Sequence, residues 1–220
     1  MDILNFISWI KGKRYTTTPP ANSVTVIGAP SSNRDDKYLP ITVPLSALGS
    51  TGISNVGRLI GGGIVVAEWD DNGVKKTLIA SLNDLSTNLP WTVPAFQGGP
   101  IIGITAQSYS NGLTNTNAII TQTGAAATPF YAAGIAKLYL GGGFNDWYLP
   151  SQWELNLCYQ SAAIVNKSLG VTNGFLPSNY WCSTEYFTTD SFTLDFQQSF
   201  FYPTAKNLGN AVRAVRIHTL

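Results

Sequence analysis

The sequence predicts an α+β domain behind an extended N-terminal arm. Three observations predict it: a β-hairpin opens the folded part, helical patterns follow, and the C-terminal part is a run of strand patterns. The chain has 220 residues, enough for one domain with a shorter attachment segment. At 44% hydrophobic residues it can bury a real core.

The first residues, MDILNFISWIKGKRY, hold an apolar run too short to span a bilayer. Asp2 precedes that run and Lys11, Lys13 and Arg14 follow it, the reverse of a secretory signal. Export by the general secretion route is therefore not expected, nor is membrane insertion. Ile3, Phe6, Ile7 and Ile10 recur at helical spacing, and with Trp9 they form the candidate attachment set. Two uses remain open: a terminal helix folded onto its own domain, or a peg docked on another subunit.

From Tyr15 to Leu59 the chain is rich in Thr, Pro, Ser and Asn. Prolines at 19, 20, 30, 40 and 44 deny it a helix and restrict any strand to a sheet edge. Residues 1–59 are therefore expected to be an arm, ordered by what it lies against, and 60–220 the folded domain.

The domain begins with GGIVVAEWDDNGVKKTLIAS, two β-rich runs joined around Asn72-Gly73, a pair that tolerates the positive φ angles of a tight turn. NLPWTVPAFQGGP and GITAQSYSNGLTNTN read as loops. Helical character returns in NAIITQTGAA and in FYAAGIAKLYL, which Gly141 closes. Ser151 and Glu154 then form a capping box ahead of LNLCYQSAAIV. Leu155, Cys158, Tyr159 and Ala162 make that helix's inward stripe, and Gly170 stops it. Strands follow: NYWCSTEY; DSFTLDFQQ, with Phe192, Leu194 and Phe196 alternating inward; FFYPTA; and a terminal NAVRAVRIHT. The expected order is hairpin, two helices, antiparallel meander.

The terminal strand contains a conflict. With period two, one of Arg213 and Arg216 must turn inward with its apolar neighbours, and a buried guanidinium needs a carboxylate. Asp146 or Glu185 is the expected partner. Cys158 sits on a helix pattern and Cys182 on a strand pattern. A bridge between them fits as well, but free buried thiols are the expectation, because a chain this long builds its core without a staple.

Together NTNAIITQTG, LGGGFNDWYLPSQWELNLCYQ, NYWCSTE and NAVRAVRIHTL resemble the family called domain of unknown function 1566, which is also the C-terminal domain of a Legionella collagen-like adhesin. The resemblance covers about residues 60–220. It rests on Asp146 to Leu155, on Tyr180 to Glu185 with Cys182 in place of a Ser, and on Val212 to Arg216. It implies a C-type lectin-like fold, two helices packed on antiparallel strands. It also implies structural roles for Asp146, Trp147, Pro150, Glu154, Trp181, Glu185, Arg213 and Arg216. Many relatives carry Cys inside the last motif, where this chain has Ala214, so a disulfide using that position is not expected. More weakly, MDILNFISWIKGKR, RDDKYLP and VPLSAL look like the opening of structural proteins of tailed-phage virions.

Charge and motif content narrow the function. Only 11% of residues are charged, against roughly 25% in an average soluble domain. A net charge of +1 offers no field for nucleic acid or an acidic membrane, and neither partner is expected. The single histidine, His218, has no serine elbow, and the glycine triplets lack the Lys-Ser or Lys-Thr of a phosphate loop. Asp70 to Gly73 has part of a calcium loop and is explained as a turn. No enzyme, cofactor or metal is expected. The resemblances imply a phage fibre or decoration subunit located in the virion. Its arm would bind other virion proteins and its lectin-like domain host-surface glycan, as a homo-oligomer, with a trimer the guess from the fibre role. The alternative is a bacterial surface or secreted adhesin-type carbohydrate-binding module. Candidate ligand residues fall on the 168–191 segment and the strand after it: Asn173, Asn179, Tyr186, Phe187, Asp190 and Tyr202.

Overall fold

The computed structural model describes residues 54–98, 104–123, 128–170 and 172–219, and of the preceding region the backbone of 23–27 and 40–44. The attachment set Ile3, Phe6, Ile7, Trp9 and Ile10 lies outside the described residues. The chain divides into two units, Met1–Ile53 and Ser54–Leu220. In the first, β1 (Ser23–Ile27) pairs antiparallel with β2 (Pro40–Pro44), and prolines stand at both ends of β2. A two-stranded ribbon has only edges, so prolines are tolerated there.

The second unit is α+β, with two sheets and three helices among the described residues. Its hairpin joins β4 (Gly63–Asp71) to β5 (Val74–Ala80). Asn72 (φ 53) and Gly73 (φ 86) turn it, and the Asp70 carboxylate accepts the Gly73 N–H at 2.6 Å. The short β3 (Leu59–Ile60) pairs on one side of the hairpin, and the terminal β11 (Val215–Thr219) pairs antiparallel with β5 on the other. The end of the chain therefore returns to the start of the unit. A second sheet has the order β6 (Ser86–Leu89), β10 (Asn210–Val212), β7 (Asn179–Glu185), β8 (Asp190–Asp195), β9 (Phe200–Ala205). All its pairs are antiparallel except β10–β7. The exposed Pro203 sits on the edge strand β9, where its missing N–H costs no ladder bond.

Each of the three helical patterns is a helix, although the expected order counted two: α1 (Gly112–Thr123), α2 (Ala132–Leu138) and α3 (Gln152–Leu169). The segment GLTNTN, read as loop, is the start of α1. Asn111 caps it by accepting the Thr114 N–H at 3.0 Å. Its inward stripe is largely polar: Asn115 exchanges hydrogen bonds with the Ser108 backbone, and the Thr116 hydroxyl with that of Leu149. Asn88 and Leu89, also read as loop, end β6, and the loop beyond them delivers the fully buried Trp91.

Two apolar clusters fill the unit. One gathers Val65, Ile79, Trp91, Ile119, Trp147 and Trp181 with the small side chains of α2. The other gathers Ile64, Leu78, Leu155, Cys158, Tyr180 and Leu194. Adjacent residues of β4 enter different clusters, so both faces of that strand are covered. Of the expected α3 stripe, Leu155 and Cys158 are buried and Tyr159 and Ala162 half-buried, with Ser161 and Val165 completing the inner face.

The expected single terminal strand is two. The chain leaves the second sheet at Val212 and enters the first at Val215, and Arg213-Ala214 spans the gap. Changing sheets breaks the period of two, so both arginines are buried, not one.

Candidate functional site

The run from Gly141 to Leu155 is built as a junction. Gly142 (φ 66) and Gly143 (φ 80) take left-handed backbone, where a side chain is strained. A Cβ on Gly62 or on Gly142 would collide with the backbone of the other, so the two glycine triplets meet face to face. The sequence presents them only as separate turns. Trp147 is fully buried, donates its indole N–H to the Gly141 carbonyl at 3.2 Å and meets Tyr139 edge-on. Tyr148 and Val215 exchange backbone hydrogen bonds at 2.9 Å, and the Ser183 N–H reaches the carbonyl of the buried Pro150 at 2.7 Å. The corner therefore ties β11 to β7.

At its end the expected capping box is present on Ser151 and Glu154. Glu154 does more than cap. Its Oε2 accepts from the Ser151 N–H (2.8 Å), the Ser151 hydroxyl (2.7 Å) and the Gly112 N–H at the start of α1 (3.0 Å), while Oε1 accepts from the Tyr148 hydroxyl (2.7 Å). One carboxylate thus serves the positive ends of two helices. Burial pushes Glu154 above the ordinary carboxylate value, against the pull of these donors. Burial, then the neighbouring Glu154 charge, raises the Tyr148 hydroxyl.

Three ion pairs tie distant parts of the unit together. Asp146 takes Arg216 through two hydrogen bonds, Nε to Oδ1 at 2.6 Å and Nη2 to Oδ2 at 2.8 Å. Arg216 also covers the Phe144 ring at 3.9 Å. Hydrogen bonding from Arg216 holds the Asp146 carboxyl below its ordinary value. The expected Asp146 partner is thus found. Glu185, the other expected carboxylate, takes the fully buried Lys206 at 2.6 Å, and Arg213 goes to Asp84. Lys206 also donates to the Thr188 carbonyl and lies against the Trp91 ring. Arg213 lies 3.2 Å from Asp84, stacks on Phe175 and donates to the Asn173 carbonyl at 2.8 Å. Neither Asp84 Oδ1 nor Arg213 Nη1 has an aligned hydrogen-bond partner, so this pair is a charge contact. Asp84 also accepts the Tyr180 hydroxyl at 2.7 Å. Burial dominates both, raising Asp84 and lowering Arg213. Asp84, Lys206 and Trp91 carried no local signal as partners.

The candidate ligand residues divide between places. Tyr186, Phe187 and Asp190 gather on the turn between β7 and β8, where both Tyr186 and Phe187 N–H groups donate to the Asp190 carbonyl. Tyr186 and Phe187 are 52% and 60% exposed. Tyr202 lies on β9 opposite Thr193, beside the exposed Phe200 at 5.3 Å. Asn179 starts β7 and Asn173 lies before it, at the strand's other end, roughly 20 Å from the turn at about 3.3 Å per residue. The 168–191 segment is not one loop, since Tyr180 to Glu185 is a buried strand. Trp181 in it is fully buried and donates to the Leu89 carbonyl at 2.8 Å.

Cys158 and Cys182 are free buried thiols, each pushed up to about 12 by burial, so neither is a thiolate at neutral pH. Among the described residues no three His, Cys, Asp or Glu side chains gather as metal ligands do, and no helix is long and apolar enough to cross a membrane. No family model matches the chain, and no curated protein is significantly similar to it.

Proposed function

We propose that the chain is a non-enzymatic subunit of a bacteriophage virion, a fibre or decoration protein. In this reading its N-terminal arm attaches it to other virion proteins, and a C-type lectin-like domain meets glycan on the host surface. One observation carries the recognition half. The polar motif residues are spent on internal bonds, while large aromatic side chains stand exposed on the β7–β8 turn and the edge strand β9. A braced scaffold presenting rings outward suits stacking on sugar faces, with Asp190 available to hydroxyls. The return of β11 to the opening hairpin, with helix and strand residues sharing both apolar clusters, supports the lectin-like assignment. The virion assignment is supported by the sequence of the arm, and a homo-oligomer, three copies by analogy with fibres, accompanies it.

Two measurements test it. Mass spectrometry of purified phage particles should find this polypeptide, and particles without it would end the virion assignment. On a glycan array the full chain should bind, and Tyr186→Ala with Phe187→Ala should abolish binding without lowering the melting temperature. Binding that survives this double variant would remove the turn from the site.

A further inference from the structure

The Asp146–Glu154 corner, besides bracing the sheets, forms one wall of an open cleft of about 360 Å³. Its lining is Ser110 and Asn111 from the turn before α1, Leu113 on α1, Asp146, Tyr148 and Glu154 from the corner, and Ile217 from β11. This volume lies within the ordinary range for small-molecule sites, roughly 300–1,000 Å³. None of Tyr186, Phe187, Asp190 or Tyr202 lines it.

The lining chemistry narrows the occupant. Both carboxylates are already compensated, Asp146 by Arg216 and Glu154 by four donors, so the cleft does not need a cation. Each carboxylate oxygen has about two acceptor positions. Arg216 uses one on each Asp146 oxygen, and Tyr148 uses one on Glu154 Oε1. The Asp146 side chain is 46% exposed, and the Arg216 clamp fixes how its remaining lone pairs point. Tyr148, whose proton goes to Glu154, can still accept a bond, although it is only 2% exposed. Asn111 spends its carbonyl on the Thr114 N–H, and its amide NH2 takes no part in that bond. The Ser110 hydroxyl rotates freely to donate or accept. Leu113 and Ile217 add apolar surface between these groups. Fixed acceptors, one amide donor, one hydroxyl and two aliphatic side chains match a neutral ring that carries hydroxyls on its rim and C–H groups on its faces.

We propose that this cleft is a second binding site, taking a neutral saccharide unit such as a single pyranose ring. It does not depend on the β7–β8 turn binding glycan, and it would stand if that turn binds nothing.

Backbone-amide NMR of the full chain, titrated with methyl glycosides of glucose, galactose, mannose, N-acetylglucosamine and the amine glucosamine, tests it. At least one sugar should give saturable shifts at Ser110, Asn111, Leu113 and Ile217, with a Kd of roughly 10 mM or tighter. Leu113→Trp, at a side chain already 39% exposed, should fill the cleft and weaken that Kd about tenfold or more. The proposal is overturned by shifts confined to residues 186–202, by a response only to the amine glucosamine, or by no saturable shift with any sugar. The wild-type titration decides even if the tryptophan variant fails to fold. A folded variant that binds as well as wild type also overturns it.

Discussion

Arg213 and Arg216 stand three positions apart, yet the molecule treats them oppositely. Arg216 meets a half-exposed carboxylate through two aligned hydrogen bonds, and that carboxyl is held below its ordinary value. Arg213 is sealed against Asp84 without an aligned bond between them, and burial raises that carboxyl instead. The difference teaches how burial and geometry divide the energetics of an ion pair. Where one partner keeps part of its water, as Asp146 does, losing that partner costs less. In the interior each partner has given up water, and removing one strands the other.

The largest expected effect follows from the interior pair. Arg213→Met leaves Asp84 buried without its cation and should cost about 3–5 kcal/mol in a denaturant melt. Replacing Asp84 by Leu in the same chain should recover a good part of that loss, because a stranded charge then becomes apolar packing. An Arg213→Met protein with unchanged stability would dispose of the pair's structural role.

Gly142→Ala is expected next, at about 1–3 kcal/mol. It forces a side chain into left-handed backbone and into the backbone of Gly62. Thermal unfolding measures it, and Gly73→Ala is the control, since that positive-φ glycine faces open space. Equal losses at the two positions would show that strain alone, and not the meeting of the triplets, decides the cost.

Asp146→Asn should cost about 1–2 kcal/mol, since solvent screens the half-exposed carboxylate but the buried Arg216 loses its compensating charge. Its signature is in pH. Asp146 has a folded value below its ordinary 3.8, so its contribution is full above 3.8 and is lost as pH falls through the folded value. Asp84 has a raised folded value, so the folded state binds its proton more readily and acidification favours folding through that group. The Asp146→Asn deficit should therefore shrink toward zero in acid because wild type loses the same contribution. The Arg213→Met deficit should shrink because protonation removes the stranded charge. Urea midpoints across pH 3–7 separate the two, since Arg213→Met, whose Asp84 has lost the cation that lowers its value, should gain more stability on the way down than Asp146→Asn. At the small end, Tyr186→Ala with Phe187→Ala should shift stability by no more than about 0.5 kcal/mol, as exposed side chains do.

Much of the local structure was legible. The Asn72-Gly73 turn, the Ser151–Glu154 box and the Gly170 stop follow from neighbours a few residues apart, and all three are present. The start of α1 escaped because its buried positions, Asn115 and Thr116, are polar, so apolar spacing does not mark its first turns. The terminal strand misled because NAVRAVRIHT reads as one continuous run, and the clash between its two arginines does not by itself signal a change of sheet after Val212. Asp146 was one of the two carboxylates expected for an inward arginine, and which arginine it takes was left open. The choice of Asp84 for Arg213 and Lys206 for Glu185 was not foreseen. The cleft wall made by Ser110, Asn111 and Ile217 was also invisible, since it joins residues from separate parts of the chain.

By itself the sequence determined where the backbone turns, where α3 starts and stops, and that large aromatic and aliphatic residues would be enclosed. Those outcomes depend on dihedral preferences and side-chain bonds within one turn or hairpin. Only the tertiary structure decided which charges meet, that the two glycine triplets touch, and that one carboxylate serves two helix starts. Arg216 and Asp146 are seventy positions apart, and Gly112 and Glu154 forty-two. Sheet register and helix docking, not local preference, bring such groups within hydrogen-bonding distance.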